Sequence, residues 1–250
     1  MTAQTHEGRV AVVTGAAGGF GQAFCVGLAE RGADIVAVDI DDSSETVALV
    51  EKLGRRAMAF GADLADPSSV SDLGERVRAE FGRCDILVNN AGIYPNRPFD
   101  EMDYEFWRRI QAVNLDSQFL MTKAVVGLMK QNGWGRIVNI TSNSITLAVH
   151  GVTHYLASKM GVIGFTRGLA TDLAGFGITV NAVGPTLTPS RAWDVRGLPA
   201  ALVEATVQKQ AIKRPGEVSD VVGIIAFLSS DDAAFITGQT IMADGGLARL

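Results

Sequence analysis

Short hydrophobic runs alternate along this chain with longer segments in which apolar residues recur at helical spacing. Apolar, β-branched runs predict buried strands, and the helical recurrence predicts amphipathic helices. The predicted strands cover residues 9–14, 34–39, 56–61, 85–89, 136–141, 178–182 and 240–243. The predicted helices cover about residues 19–31, 43–53, 66–82, 104–130, 153–176 and 218–228. Because helical crossovers join parallel strands, we predict one doubly wound α/β domain over residues 1–250, with a seven-stranded parallel sheet and helices on both faces.

One long irregular stretch interrupts this alternation at about residues 184–199, which contain Pro185, Pro189, Gly197 and Pro199. A loop of that length in a compact domain is usually functional. We interpret the region of about residues 184–210 as a candidate substrate lid; a plain surface insertion is the alternative.

Composition narrows the possible functions. Hydrophobic residues make up 47% of the 250 residues, and the net charge is −5, so no basic surface for nucleic acid is expected. No uncharged apolar run reaches the ~18 residues of a spanning helix, so no membrane partner is expected. The start of the chain shows no secretion signal. Cys25 and Cys84 both fall within predicted elements, which favours a reduced, cytoplasmic protein over a disulfide or zinc framework.

Tyr155 and Lys159 form a pair whose side chains are suited to acid–base chemistry. Their i,i+4 spacing places a phenol and an ammonium on one helix face. A free phenol titrates near ~10, and acid–base work at neutral pH requires lowering that pKa by about 3 units. A cation at ~4 Å in an effective dielectric near ~20 supplies about that much. The pair is therefore a candidate proton-transfer device, and an ordinary surface Tyr and Lys are the alternative.

The first strand leads into a glycine-rich turn, TGAAGGFG, which contains Gly15, Gly19 and Gly21. Glycines permit a tight turn and close approach of the backbone to a pyrophosphate at a helix N-terminus. The position of the turn, between the first strand and the first helix, is the one that a dinucleotide-binding motif requires. It predicts a Rossmann-type cofactor site.

Asp39 ends the second predicted strand. A carboxylate there can accept hydrogen bonds from both ribose hydroxyls of an adenosine and would repel the extra phosphate of NADP. No Lys or Arg lies within residues 16–18 or directly after Asp39 to offset its charge. We predict NAD as the cofactor; a turn-capping Asp is the alternative.

Further polar residues follow the third and fourth strands. Asp63-Leu64 and the run NNAG, whose Asn90, Ala91 and Gly92 are candidate cofactor contacts, lie where open α/β sheets bind ligands. Asn114 lies inside a predicted helix, where asparagine is mildly unfavourable, so it has either a polar task such as holding a water or a solvent-facing position.

Together these motifs resemble the short-chain dehydrogenase/reductase family, in its single-domain branch of about 250 residues. The resemblance spans nearly the whole chain and also includes Ser142, NAVGP and MADGG. It implies that Tyr155 is the acid/base, that Ser142 hydrogen-bonds the substrate oxygen, that Lys159 holds the nicotinamide ribose and lowers the tyrosine pKa, and that Asn114 anchors a relay water.

The chain departs from the family pattern at two positions. Phe20 replaces the usual Ile or Leu between the last glycines of the turn, and its backbone is a further candidate cofactor contact. Thr186 follows Pro185 where glycine is usual, so the conformation of residues 185–190, and with it a carboxamide contact at Thr188, is open.

Within the family, several segments look most like NAD-dependent aryl secondary-alcohol dehydrogenases such as 1-phenylethanol dehydrogenase. The resemblance therefore implies an alcohol or ketone as the small-molecule substrate. Tyr94, Trp193 and Leu198 are candidates for an apolar substrate pocket, or they simply pack the lid. A 3-oxoacyl-thioester reductase and a non-catalytic NAD-binding protein are the rival functions.

Two expectations concern metals and assembly. His150 and His154 have i,i+4 spacing, but Gly151 lies between them and no Glu or Cys completes a site, so no metal is expected and His154 is interpreted as a pocket-wall or subunit-contact residue. The family resemblance implies a homotetramer, with the helix of about residues 153–176 and the C-terminal segment through Leu250 as interface elements.

Overall fold

The protein is described from a computed structural model, in which residues 4–188 and 199–248 are placed. Its strands are β1 (Val10–Thr14), β2 (Asp34–Asp39), β3 (Ala57–Gly61), β4 (Ile86–Asn89), β5 (Gly135–Ile140), β6 (Ile178–Pro185) and β7 (Thr240–Ala243). They form one seven-stranded sheet in the order β3-β2-β1-β4-β5-β6-β7, and every neighbouring pair is parallel. The predicted parallel sheet is therefore confirmed.

Helices connect the strands. They are α1 (Gly19–Ala29), α2 (Ser44–Lys52), α3 (Pro67–Ser71), α4 (Leu73–Phe81), α5 (Tyr104–Gln111), α6 (Ser117–Asn132), α7 (Thr153–Leu173), α8 (Ala200–Lys209) and α9 (Val218–Leu228). In the part of the chain that the structure describes, no helix is both long enough and apolar enough to cross a membrane.

Successive side chains of a strand point to opposite faces of the sheet. Because helices cover both faces of a parallel sheet, the strands are apolar on both faces. In β1, Val10 and Val12 belong to one buried cluster, which includes residues of α6 and α7. Ala11 and Val13 belong to a second cluster on the opposite face, which includes residues of α1 and α9. Each fully buried aliphatic side chain stabilises the fold by about 1.5–3 kcal/mol relative to exposure. The prediction of helices on both faces is confirmed.

Three predicted elements differ from the structure, and one helix was not predicted. The predicted helix 66–82 is two helices, α3 and α4, which meet at Asp72; Gly74 then packs directly on the Ala124 backbone of α6, with no room for a side chain. A π-helical turn, Ala112–Asp116, divides the predicted helix 104–130. The sixth strand extends from the predicted residue 182 to Pro185, because its last residues pair with β7. The helix α8 lies inside the region interpreted as a lid.

The carboxyl ends of β1 and β4 lie side by side although the chain leaves them toward opposite edges of the sheet. Open α/β sheets bind ligands in the crevice at such a switch point. The residues that follow β1, β4 and β5 are therefore the ones that can form a common site.

Candidate active site at the carboxyl edge of the sheet

The glycine turn after β1 is held in a conformation that its sequence requires. Gly15 and Gly19 have φ of 67° and 54°, in the left-handed region that favours glycine. A Cβ on Gly21 would overlap the Gly15 carbonyl oxygen, so the turn packs tightly on the first turn of α1. Gly18 gives α1 no side-chain cap, and its first turn holds no acidic residue. The backbone N–H groups of the turn and the positive N-terminal end of α1 fit a pyrophosphate.

Asp39 lies against this turn. Its Oδ2 accepts a hydrogen bond from the Ala17 N–H at 2.8 Å, and its Oδ1 accepts one from the Asp41 N–H at 3.0 Å. Among the described residues, no Lys or Arg forms an ion pair with this carboxylate. The side chain therefore presents a negative charge beside the turn, in a position suited to an adenosine ribose.

The NNAG run fastens the end of β4 to the end of β1. The Thr14 hydroxyl accepts hydrogen bonds from the N–H groups of Asn90 at 2.9 Å and Ala91 at 3.0 Å. The Asn90 side chain donates to the Thr14 carbonyl at 2.9 Å. Asn90 therefore positions the glycine turn, and Thr14 is a supporting residue that sequence analysis missed, although it directly precedes Gly15.

The side chains of three predicted cofactor contacts already have partners within the protein. The Phe20 ring stacks on Phe24 with centroids 5.8 Å apart, and Leu64 is buried in the core, so both have only backbone atoms to offer. Asp63 is exposed, and its Oδ1 accepts a hydrogen bond from the Ala65 N–H at 2.9 Å.

Asn114 lies in the π-helical turn and is fully buried, which excludes the solvent-facing alternative. Its Oδ1 accepts from the Ile93 N–H at 2.8 Å. Its Nδ2 donates to the Ile93 carbonyl at 3.0 Å and to Ser158 Oγ at 3.2 Å. A Cβ added to Gly92 would lie 3.3 Å from Asn114 Oδ1 and 3.5 Å from Lys159 Nζ. Asn114 thus ties the β4 loop to α7 beside the lysine, and because both of its amide hydrogens are used, any water there would need one of its oxygens.

Ser142, Tyr155 and Lys159 come together where β5 ends against α7. Ser142 follows β5 and is the N-terminal cap of a short 3₁₀ turn, Asn143–Thr146. Tyr155 and Lys159 lie in the first two turns of α7. The Lys159 ammonium donates to the Ile140 carbonyl at 2.8 Å and lies 5.7 Å from the centre of the Tyr155 ring. The structure therefore groups three of the four predicted catalytic side chains here, and the fourth, Asn114, lies beside Lys159.

The predicted lowering of the Tyr155 pKa is wrong for this arrangement. Burial raises the pKa of Tyr155 to about 12, although hydrogen bonding to the Ser142 side chain lowers it and the neighbouring Tyr94 raises it further. Burial also lowers the pKa of Lys159 to about 8. Removal of both groups from water favours their neutral forms, and the ammonium is directed at Ile140 rather than at the phenol.

Tyr94 forms a wall beside the phenol, since its ring meets that of Tyr155 edge-on. His154 is fully buried, and its Nε2 lies 3.0 Å from the Pro95 carbonyl, so its ring offers no surface for a subunit contact, and the pocket-wall interpretation stays a prediction. Among residues 4–188 and 199–248, no group of three His, Cys, Asp or Glu side chains could hold a metal ion.

The structure describes the backbone at Thr186, at the end of β6, where the chain departs from the family pattern. No non-glycine residue in the described part of the chain has a positive φ, so Thr186 stands where glycine is usual without backbone strain. Pro185 pairs with Ala243 of β7, and the buried Thr188 hydroxyl donates to the Thr186 carbonyl at 3.1 Å. A cavity of about 350 Å³ borders Thr186 and Thr188 but does not include the catalytic side chains. The predicted pocket residues Trp193 and Leu198, and residues 189–198 of the lid, lie outside the described residues.

Comparisons with known proteins agree with this arrangement. Residues 15–248 match the family model described as enoyl-(acyl carrier protein) reductase. The chain is 38% identical over 246 residues to the 3-oxoacyl-[acyl-carrier-protein] reductase FabG of Escherichia coli (strain K12), covering 96% of this chain and 98% of the relative. It is 38% identical over 242 residues to the (2S)-[(R)-hydroxy(phenyl)methyl]succinyl-CoA dehydrogenase subunit BbsD of Thauera aromatica, covering 96% of each.

Among solved structures, one similar chain comes from Beutenbergia cavernae and is assigned as an NAD(P)-dependent gluconate 5-dehydrogenase with NADP bound at low occupancy. The TM-score is 0.92 at 34% identity, covering 98% of this chain and 99% of the other. The chain therefore belongs to the short-chain dehydrogenase/reductase family and is an oxidoreductase of the NAD(P) cofactor class. The relatives named here act on different substrates, so the closeness to 1-phenylethanol dehydrogenase stays a prediction.

Proposed function

We propose that the protein interconverts a secondary alcohol bearing an aryl or other hydrophobic group and its ketone by hydride transfer with NAD. The observation that carries the proposal is the grouping of Ser142, Tyr155 and Lys159 at the end of β5, on the side of the sheet where the glycine turn lies. A hydroxyl, a phenol and an ammonium in one buried place are suited to handling the proton of a carbinol.

Each of these side chains has a task that its position allows. Tyr155 takes the carbinol proton during oxidation and returns it during reduction, and Ser142 donates a hydrogen bond to the substrate oxygen. Lys159 holds the nicotinamide ribose, and an oxygen of Asn114 holds a water in the relay by which the proton leaves. The nicotinamide cofactor supplies or accepts the hydride, and the protein orients it and handles the proton.

The cofactor would be held by groups from several loops. The glycine turn (Gly15, Gly19, Phe20 and Gly21) would contact the pyrophosphate through its backbone, and Asp39 would bind the adenosine ribose. The remaining proposed contacts are Asp63, Leu64, Asn90, Ala91, Gly92, Pro185 and Thr188. The carboxylate of Asp39, which accepts two backbone hydrogen bonds but has no Lys or Arg ion-pair partner among the described residues, favours NAD. Since a similar structure holds NADP, a comparison of kcat/KM for the two cofactors is the decisive measurement.

Two observations favour an aryl substrate. The aromatic ring of Tyr94 packs on Tyr155, where it can contact the substituent of a bound carbinol. The relative BbsD, by its name, acts on a carbinol that carries a phenyl group. We include Trp193 as a further pocket residue on the sequence argument alone.

The second candidate function is reduction of a 3-oxoacyl thioester, which the 38% identity to FabG favours. Both functions place the same proton chemistry on Tyr155, so they differ only in the groups around the carbonyl. A panel of aryl ketones, aliphatic ketones and acetoacetyl thioesters, with each reaction followed by NADH or NADPH absorbance, separates them. An aryl ketone is expected to give the highest kcat/KM; a thioester preferred at least tenfold would establish the second function instead.

We also infer a single functional domain over residues 1–250, with a lid at about residues 184–210, acting as a cytoplasmic homotetramer. Cys25 and Cys84 are both buried free thiols, as a reducing compartment allows. Exposed apolar side chains, Phe119 on α6 and Met160 on α7, lie on helices that could pair between subunits. Light scattering coupled to size-exclusion chromatography would give four chain masses if this inference is correct.

A further inference from the structure

A second serine lies directly behind Ser142. Ser144 Oγ is 2.8 Å from Ser142 Oγ, and the Ser144 backbone N–H donates to the same oxygen at 3.2 Å. We propose that Ser144 is a positioning residue that directs the hydroxyl hydrogen of Ser142 into the active site; this inference rests on the function proposed above.

The direction of the serine pair follows from the number of hydrogens available. A serine hydroxyl has one hydrogen to donate and two lone pairs to accept. By distance alone, either oxygen of the serine pair can be the donor. In the proposed function the hydrogen of Ser142 points into the active site, to the substrate oxygen when substrate is bound and otherwise to Tyr155, whose pKa the Ser142 side chain lowers. Since its only hydrogen is then used, the contact at 2.8 Å requires Ser144 to be the donor. The N–H and O–H of Ser144 together fill both lone pairs of Ser142, so Ser142 can only donate.

The surroundings of Ser144 hold this arrangement in place. Its side chain is 7% exposed, and among the described residues its hydroxyl has no hydrogen-bond partner other than Ser142. The turn that carries it is fixed by the Thr146 hydroxyl, which donates to the Asn143 carbonyl at 2.8 Å, and by the Asn143 side chain, which lies 3.3 Å from Thr186 Oγ1. Ser144 therefore has little freedom to choose another acceptor.

Loss of the Ser144 hydroxyl would free one lone pair of Ser142. The hydroxyl hydrogen of Ser142 could then turn away from Tyr155 and the substrate. For Ser144→Ala we expect a decrease in kcat/KM of about 5- to 20-fold, the size that one hydrogen bond in a buried network supports. Alcohol oxidation needs the phenolate form of Tyr155. In the pH profile of oxidation, the rise in kcat/KM should therefore occur at higher pH in Ser144→Ala than in wild type. The other titratable groups that face Tyr155 in the described structure are Tyr94, from the loop after β4, and Lys159, on its own helix, and the substitution leaves both in place.

The test compares Ser144→Ala, Ser144→Cys and Ser144→Thr with wild type. Cysteine keeps the size of the side chain but is a weak donor, whereas threonine keeps the hydroxyl. Ser71→Ala is the matched control, because it removes an exposed serine hydroxyl that bonds to the Ser68 carbonyl in α3 and does not reach Ser142. The pH profile of kcat/KM is measured with the best substrate of the panel, and thermal unfolding confirms that each variant is folded.

A second measurement needs no substrate. The absorbance of ionised tyrosine near ~295 nm, taken as the difference between a protein and its Tyr155→Phe counterpart, reports the Tyr155 pKa directly. We expect this pKa to rise in the Ala and Cys variants and to be restored by Thr. Unchanged profiles in both Ala and Cys variants, or a Thr variant as impaired as Ala, would overturn the proposal. If the wild-type protein turned over no compound of the panel, the proposed function would fail, and the absorbance titration would still test Ser144.

Discussion

The ring of Tyr94 meets the ring of Tyr155 edge-on, with centroids 4.5 Å apart and planes at 85°. Such a pair is worth about 0.5–1.5 kcal/mol beyond its buried area, so it fixes the orientation of the phenol as well as forming a wall. Because Tyr94 comes from the loop after β4 and Tyr155 from α7, the contact joins that loop to the helix that carries Tyr155 and Lys159.

Replacement of Tyr94 by Ala should therefore weaken binding of aryl substrates more than it slows the chemical step. We expect KM for an aryl ketone to rise about 3- to 10-fold with a smaller change in kcat, since in the proposed function the ring would contact substrate in the ground state and the transition state alike. Steady-state kinetics on aryl and small aliphatic ketones measure the effect. Tyr94→Phe keeps the ring, so its rise in KM for the aryl ketone relative to the aliphatic ketone should be smaller than that of Tyr94→Ala; an equal loss on both substrate classes in Tyr94→Ala would show that the ring acts only by holding Tyr155.

Replacement of Tyr155 by Phe removes the only proposed acid/base while keeping the ring. General acid–base catalysis contributes about 10²- to 10⁴-fold, so kcat should fall by that factor in both directions of the reaction. Binding of NADH, measured by fluorescence titration, should change little. Full turnover by this variant across the substrate panel would show that the proposed mechanism is wrong.

Replacement of Asp39 by Ser should shift cofactor preference toward NADP. A carboxylate and a phosphate at ~5 Å in an effective dielectric near ~20 repel by about 3 kcal/mol per unit charge, so the ratio of kcat/KM for NADP to that for NAD should rise at least about 10-fold. Asp41→Asn is the control. The Asp41 carboxylate is exposed, and Asp41 bonds to Asp39 through its backbone N–H, which the substitution keeps. A wild-type enzyme that already used both cofactors equally would contradict the role assigned to Asp39.

Lys159 illustrates a conflict between function and stability. Its side chain is 3% exposed, and burial lowers its pKa to about 8. Since the unfolded side chain titrates near ~10.4, the folded state favours the neutral amine, and stability should increase as pH rises from about 8 to ~10.4. Lys159→Met should raise the free energy of unfolding at pH 7 by about 1–3 kcal/mol while abolishing turnover. Urea unfolding checks this, with the exposed Lys123→Met as control; a destabilised Met variant would show that the hydrogen bond to Ile140 outweighs desolvation.

Much of the architecture was predictable because hydrophobic periodicity reports burial directly. The seven strands carry apolar residues on both faces, and the i,i+4 spacing of Tyr155 and Lys159 places them on one helix face wherever that helix packs. The glycine turn was predictable for a similar reason, since φ above zero and close packing both demand glycine at known positions.

Contacts that depend on tertiary packing were not predictable. Nothing in the spacing of Lys159 indicates that its ammonium donates to Ile140, and nothing in the position of Tyr155 indicates the burial that raises its pKa. The support of Ser142 by Ser144 likewise depends on a short 3₁₀ turn that has no periodicity of its own. The π-helical turn at Asn114 lies inside a segment that otherwise reads as a continuous helix.

The burial of His6 predicts that the free energy of unfolding falls at acidic pH, independently of the catalytic chemistry. The ring is fully buried, and its Nε2 lies 2.9 Å from Ser229 Oγ, so the N-terminal segment is fastened to the end of α9. Burial, with smaller contributions from the nearby Arg31 and Arg9, lowers the pKa of His6 to about 4. Between about pH 4 and ~6.5 the unfolded chain therefore binds a proton that the folded protein does not.

The stabilisation from neutral His6 should be fully present above pH ~6.5 and should be lost as the pH falls toward about 4, a change on the order of 3 kcal/mol. Urea unfolding at pH values across this window measures it. His6→Gln cannot be protonated and should flatten the slope, whereas His150→Gln, at an exposed position, should leave the slope as in wild type. If the slope survived in His6→Gln, the acid sensitivity would have to come from carboxylates, whose contribution is lost at lower pH as the acids protonate near ~4 and below.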